Sequence, residues 1–86
     1  MAAHTDRVTI ENRLKAMLAA ASPLGVDEID GTLRLVELGM SSLQLQIFAA
    51  QVEAAFEFRF DDTEVGALDS FADIVAAVAR HVLAAP

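Results

Sequence analysis

Apolar residues along this 86-residue chain recur at helical spacing in three places. Ile10, Leu14, Met17, Leu18 and Ala21 fall three or four apart and form one stripe. Thr5 is placed to cap that helix, and Ser22-Pro23 with Gly25 stops it. A second periodic run covers Ser42 to Phe56. A third follows Ser70, where Phe71, Ile74, Val75, Val78 and Val82 share a face and Asp73 completes a capping-box-like start. Asp61-Asp62-Thr63 opens a short element that reaches Val65 and is interrupted by Gly66. Between the first two helices, residues 22–34 form a long loop with apolar anchors at Leu24, Val26, Ile29 and Leu33. One stretch alternates, Phe56-Glu57-Phe58-Arg59-Phe60, and is too short to build a sheet alone. It is expected as an extended connector whose Phe side chains plug the core. The pattern predicts an all-α fold, a small four-helix bundle of three longer helices and one short third helix. Residues 1–86 make one domain, with 1–4 and 84–86 as frayed tails.

The second helix carries more than a core face. On a wheel at about 100° per residue, Leu45, Phe48, Ala49, Val52 and Phe56 gather on one side. Leu43, Ile47, Ala50 and Ala54 gather on the opposite side, with Gln44, Gln46, Gln51 and Glu53 between. A helix apolar on two faces is buried on both, self-associates, or docks a partner. Its start is equally informative. Ser41 and Gln44 fit a Ser-x-x-Gln capping box, which makes Ser41 the N-cap and turns its hydroxyl to the backbone. Ser42 is then the first helical residue, with its hydroxyl free to face solvent. Unpaired N–H groups and a partial positive charge favour a phosphate ester there. Both serines serving only as caps is the plainer alternative.

Composition removes several functions. Six Lys or Arg against thirteen Asp or Glu give a net charge of −7, which opposes nucleic-acid binding. Thirty apolar side chains larger than Ala supply one small core. The absence of Cys excludes disulfides, Cys-based zinc sites and thiol catalysis. The longest charge-free run, Leu38 to Val52, has 15 residues with two Ser and three Gln, too short and polar to span a membrane. A cytoplasmic monomer is expected. Gly39-Met40-Ser41-Ser42-Leu43 lacks the second Gly of a hydrolase nucleophile elbow. The two His, His4 and His81, have no metal-ligand spacing and are expected at the surface. Asp27, Glu28, Asp30 and Gly31 lack the closing Glu of a calcium loop. Asp61, Asp62 and Glu64 read as acids favoured at a helix start. Met40 is either a core gap-filler or an adaptable partner contact.

The segment Leu35-Val36-Glu37-Leu38-Gly39-Met40-Ser41-Ser42-Leu43 resembles the modification site of the acyl carrier and peptidyl carrier protein family. That family shows Leu-Gly-x-Asp-Ser-Leu, then a helix closed by Phe fourteen residues after the modified Ser, as from Ser42 to Phe56. The extended segment, the short third helix and a hydroxyl residue opening the fourth, here Ser70, follow in the same order. The resemblance covers nearly all of residues 5–83.

The resemblance implies that Ser42 carries a covalent 4′-phosphopantetheine donated from coenzyme A by a separate, Mg²⁺-dependent phosphopantetheinyl transferase. The arm's thiol would hold an acyl or aminoacyl group as a thioester. The chain would then be a carrier and not an enzyme, working with a loading ligase and downstream synthases. Met40, Ser41, Leu43, Ile47, Ala50 and Ala54 would form its docking surface. Two departures stand out: Ser41 replaces the family's Asp, and Ile47 stands where a carboxylate is common. They favour a polyketide, nonribosomal peptide or aminoacyl carrier of specialised metabolism over a housekeeping fatty-acid carrier. The end of the chain, without a linker-like tail, favours a free-standing protein. The competing reading is an unmodified interaction module that uses the Leu43/Ile47/Ala50/Ala54 face.

Overall fold

The computed structural model describes residues 6–83, and the expected tails, the Thr5 cap and His4 lie outside them. Asp6 caps the first helix by accepting a 2.8 Å hydrogen bond from the Thr9 amide. α1 then runs Arg7–Ala21 and ends where Ser22 turns extended ahead of Pro23. Its stripe buries Ile10, Leu14 and Leu18. Met17 is half-buried, and Ala21, assigned to the stripe by spacing, is exposed.

α2 spans Ser42–Phe56, α3 spans Asp62–Ala67 and α4 spans Phe71–Val82. This is a small all-helical bundle with the expected short third helix. α1 packs against both α4 and α2. Phe48, Ala49 and Val52 of α2 meet Phe71, Ile74, Val75 and Val78 of α4 in one core, closed by Ile29, Leu35 and Phe60. Leu45, Phe56, Phe58 and Val82 are half-buried at its margin. α2 stops because Glu57 adopts a left-handed conformation, φ 58°, and the chain leaves as the extended connector. Arg13 lies over the Phe56 ring, 4.4 Å from its centroid, and ties α1 to that end.

Two details of α3 and the loop differ from the sequence reading. Gly66 lies inside α3 and does not end it; the helix continues to Ala67, since one Gly weakens a helix by only about 1 kcal/mol. Val26 does not anchor the loop: it is 46% exposed in a 3₁₀ turn, and Ile29 takes the buried position. A second 3₁₀ turn covers Leu35–Leu38. The loop is held on the start of α4 by backbone bonds. Leu35 N–H donates to Asp69, and the Phe71 N–H to Leu33, both at 2.8 Å. The Arg34–Asp69 ion pair at 3.1 Å accompanies them, but exposed pairs of that kind contribute little. No helix among the described residues is long and apolar enough to cross a membrane.

Candidate functional site

The start of α2 is built by the turn before it. In the Leu35–Leu38 turn, residues three apart align, so Leu35 and Leu38 face the core and Val36 is left 70% exposed. Gly39 follows at φ 71°, a left-handed conformation that costs other residues energy, and reverses the chain. Met40 is half-buried against the core. The turn is thus pinned on both sides, and the two serines are presented at a fixed helix end.

Their surroundings differ. Ser41 Oγ accepts the Gln44 amide at 3.1 Å, and Gln44 Oε1 accepts the Ser41 amide at 2.8 Å, so the expected capping box is present. The Ser41 carbonyl takes the Leu45 amide at 2.9 Å. Ser42 is exposed, and among the described residues its hydroxyl makes no hydrogen bond. The amides of Ser42 and Leu43 belong to the first helical turn, whose N–H groups have no intrahelical acceptor. No carboxylate occupies that turn. The arrangement suits an added phosphate ester: one free nucleophilic hydroxyl, unpaired donors and the positive end of a 15-residue helix dipole.

Around this point the surface is apolar. A groove of about 150 Å³ beside Ser41 and Ser42 is lined by Leu35, Val36, Met40, Leu45, Leu68 and Asp69. A neighbouring hollow of about 130 Å³ joins Met40 to Ile47, with Ala21, Gln44, Phe48 and Gln51. Leu43 is 65% exposed and Ile47 50%. Ala50 and Ala54 are also exposed. The second apolar face of α2 is therefore free on the folded chain and not buried as a central helix would be. Its members do not all share one hollow. Ala50 borders a different groove, between α2 and α3, and Ala54 lines none of these.

A model of the phosphopantetheine attachment site matches residues 12–78, a span that contains all of α2 and both serines. The chain belongs to the phosphopantetheine attachment-site family. Members of this carrier family hold 4′-phosphopantetheine covalently on a serine and are generally non-catalytic. They work with phosphopantetheinyl transferases and synthase partners. The search of curated proteins gave no match. Nothing in the carrier's α2 start conflicts with such a group, and the absence of any Cys means that the thiol must arrive with the arm.

A cluster distant from the serines was not legible in the sequence. His81, expected as an isolated surface residue, places Nε2 2.7 Å from Glu64 Oε1 and stacks on Phe58. Arg80 Nη2 reaches Glu64 Oε2 at 3.0 Å. Glu64, expected as a simple first-turn acid, also accepts the Asp61 amide. That hydrogen bond and the one from His81 hold its carboxyl at about 2, below the ordinary 4.5. The separation of seventeen residues between Glu64 and His81 leaves no periodic trace.

Proposed function

We propose that Ser42 is the serine that carries the phosphopantetheine arm. One observation carries this reading: of two adjacent serines, Ser41 spends its hydroxyl on the helix cap, while Ser42 presents a free hydroxyl at the positive end of α2. In the modification, Ser42 Oγ forms a new ester bond to the phosphorus that bears the pantetheine. The phosphoanhydride of coenzyme A breaks, the nucleotide leaves, and the hydroxyl proton passes to the transferase. Magnesium belongs to that enzyme. Once in place, the arm supplies a terminal thiol for thioester exchange. The chain's own residues position it and catalyse none of the steps.

Partners then meet the surface around Ser42: Met40 and Ser41 at the turn, and Leu43, Ile47, Ala50 and Ala54 along α2. From Met40 through α2 to Val52 there is no charged side chain, and the exposed apolar groups dominate. Docking therefore depends on shape and apolar contact, and changes little with ionic strength. This favours a polyketide, nonribosomal peptide or aminoacyl carrier, acting as a cytoplasmic monomer with a loading ligase and downstream synthases. The exposed face that an unmodified interaction module would use is in this reading the docking face of the carrier.

The experiment is intact mass after incubation with coenzyme A, Mg²⁺ and a broad-specificity transferase. Wild type and Ser41→Ala gain one phosphopantetheine, and Ser42→Ala gains none. A gain in Ser42→Ala, or no gain in wild type, contradicts the assignment.

A further inference from the structure

We propose that the apolar groove beside Ser42 seats the root of the phosphopantetheine arm, with Asp69 as the hydrogen-bond acceptor that fixes it. The inference rests on Ser42 as the point of attachment. The groove, of about 150 Å³, is lined by Leu35, Val36, Met40, Leu45, Leu68 and Asp69 together with both serines, so it begins at the attachment residue itself. Three segments build it. Leu35 and Val36 come from the 3₁₀ turn, Leu45 stands one helical turn after Ser42 on α2, and Leu68 and Asp69 follow α3. Backbone bonds fasten the far wall to the near one. The Asp69 carbonyl accepts the Leu35 amide at 2.8 Å, and the Asp69 amide donates to Asp73 Oδ2 at 3.0 Å. Arg34 and Ser70 pair beside them in an antiparallel bridge. The groove is thus a built feature of the fold and not a gap between loose elements.

Groove and arm match in chemistry. Next to its phosphate the arm bears a carbon with two methyl groups, then a hydroxyl and two amides. Val36 is 70% exposed, and Met40, Leu45 and Leu68 are half-buried, which leaves apolar surface for a branched aliphatic group to cover. At about 150 Å³ the groove is smaller than the roughly 300–1,000 Å³ of sites that enclose a whole ligand. It therefore suits the root of the arm and leaves the thiol and its cargo outside. Asp69 is the charged member of the lining. Its Oδ1 receives Arg34 Nη2 at 3.1 Å, and among the described residues its Oδ2 accepts no hydrogen bond. That second oxygen serves the arm's hydroxyl or first amide N–H as acceptor. A bare carboxylate would repel the phosphate diester at the start of α2, and the Arg34 guanidinium offsets that charge. The exposed Arg34–Asp69 pair, which adds little stability, thereby has a role at the site. A root held in one direction also leaves less freedom for a partner enzyme to freeze on docking.

The test is isotope-filtered NOE spectroscopy on the ¹³C,¹⁵N-labelled full chain loaded with unlabelled phosphopantetheine, after peptide mapping by mass has located the arm. In wild type loaded at Ser42, the arm's paired methyl protons show NOEs to the methyls of Val36 and Leu68, and the Leu68 and Asp69 amides shift on loading. Asp69→Ala removes the acceptor and keeps both backbone bonds of that residue. Val36→Asp puts a charge in the wall at an exposed position. Each variant, once loaded, loses the NOEs to Leu68, and the second decides the matter if the first fails to fold. An arm on Ser42 of wild type without NOEs to the groove overturns this proposal and leaves the Ser42 assignment standing. NOEs undiminished in Asp69→Ala overturn it as well. An arm that maps to Ser41, or never attaches, overturns the Ser42 assignment and the seat with it.

Discussion

Replacing Ser41 with Ala separates the two serines by stability as well as chemistry. The substitution removes one interaction, the 3.1 Å bond from the Gln44 amide to Ser41 Oγ. The reciprocal bond from the Ser41 amide to Gln44 Oε1, at 2.8 Å, uses a backbone donor and survives. So does the Leu45 amide bond to the Ser41 carbonyl. Loss of a capping Ser costs about 0.5–2 kcal/mol. Here the freed amide is at an exposed helix start and regains water, so a loss of about 1 kcal/mol is expected. For a domain of this size that is a fall in Tm of about 4–8 °C. Ser42→Ala removes no hydrogen bond and replaces an exposed helical residue with a better helix former, so it stays within about 0.5 kcal/mol of wild type. The assay is urea or thermal unfolding followed by far-UV circular dichroism, because the chain has neither Trp nor Tyr for fluorescence. Stability and modification should thus segregate, with Ser41→Ala destabilised yet modified and Ser42→Ala stable yet unmodified. A Ser41→Ala protein as stable as wild type but refractory to the transferase would refute the division of labour.

Three further outcomes follow from the same structure. Ile47→Arg places a charge on a side chain already 50% exposed, so folding stability changes by less than about 0.5 kcal/mol. Its kcat/KM with a loading or synthase partner should fall at least tenfold; unchanged partner kinetics would remove Ile47 from the docking face. Glu64 titrates at about 2 instead of 4.5, with its hydrogen bond from the Asp61 amide as the largest cause. A depressed carboxyl stabilises fully above its ordinary value, and that contribution is lost as pH falls from about 4.5 through about 2. Acid unfolding of Glu64→Gln should accordingly lack the part of the wild-type decline in that window. Gly39→Ala meets no neighbour within 4 Å but must hold φ 71°, so a cost of about 1–2 kcal/mol is expected from backbone strain alone, read as a lower urea midpoint with unchanged slope.

The elements governed by neighbouring residues were the legible ones. Ser41 with Gln44, and Ser70 with Asp73, announce the starts of α2 and α4, because each box closes within one turn. The second apolar face of α2 was equally visible as spacing, and the exposure of Leu43 and Ile47 excludes its burial within the chain. What the pattern missed depends on contacts distant in sequence or on marginal energies. Gly66 remains helical because its cost is small and the Asp61 amide bond to the Glu64 carboxylate supports the first turn. Val26 and Ile29 are equally apolar in the sequence, and only the path of the loop buries one of them. Val36 emerges because the turn is 3₁₀, a period that four residues cannot declare. His81 meets Glu64 and Phe58 only after α3 and the connector have folded back on α4. At the site, the distinction between Ser41 and Ser42 followed from one capping rule, while the grooves around them needed Leu68 and Asp69 to arrive from beyond α3.

The central claim is that one particular hydroxyl receives the arm, and fragmentation mass spectrometry of the proteolysed, transferase-treated protein tests it most directly. The account predicts that the added phosphopantetheine, and the pantetheine ion ejected from it, map to Ser42 in every modified peptide. The same mass localised on Ser41, or distributed between the two serines, would contradict it.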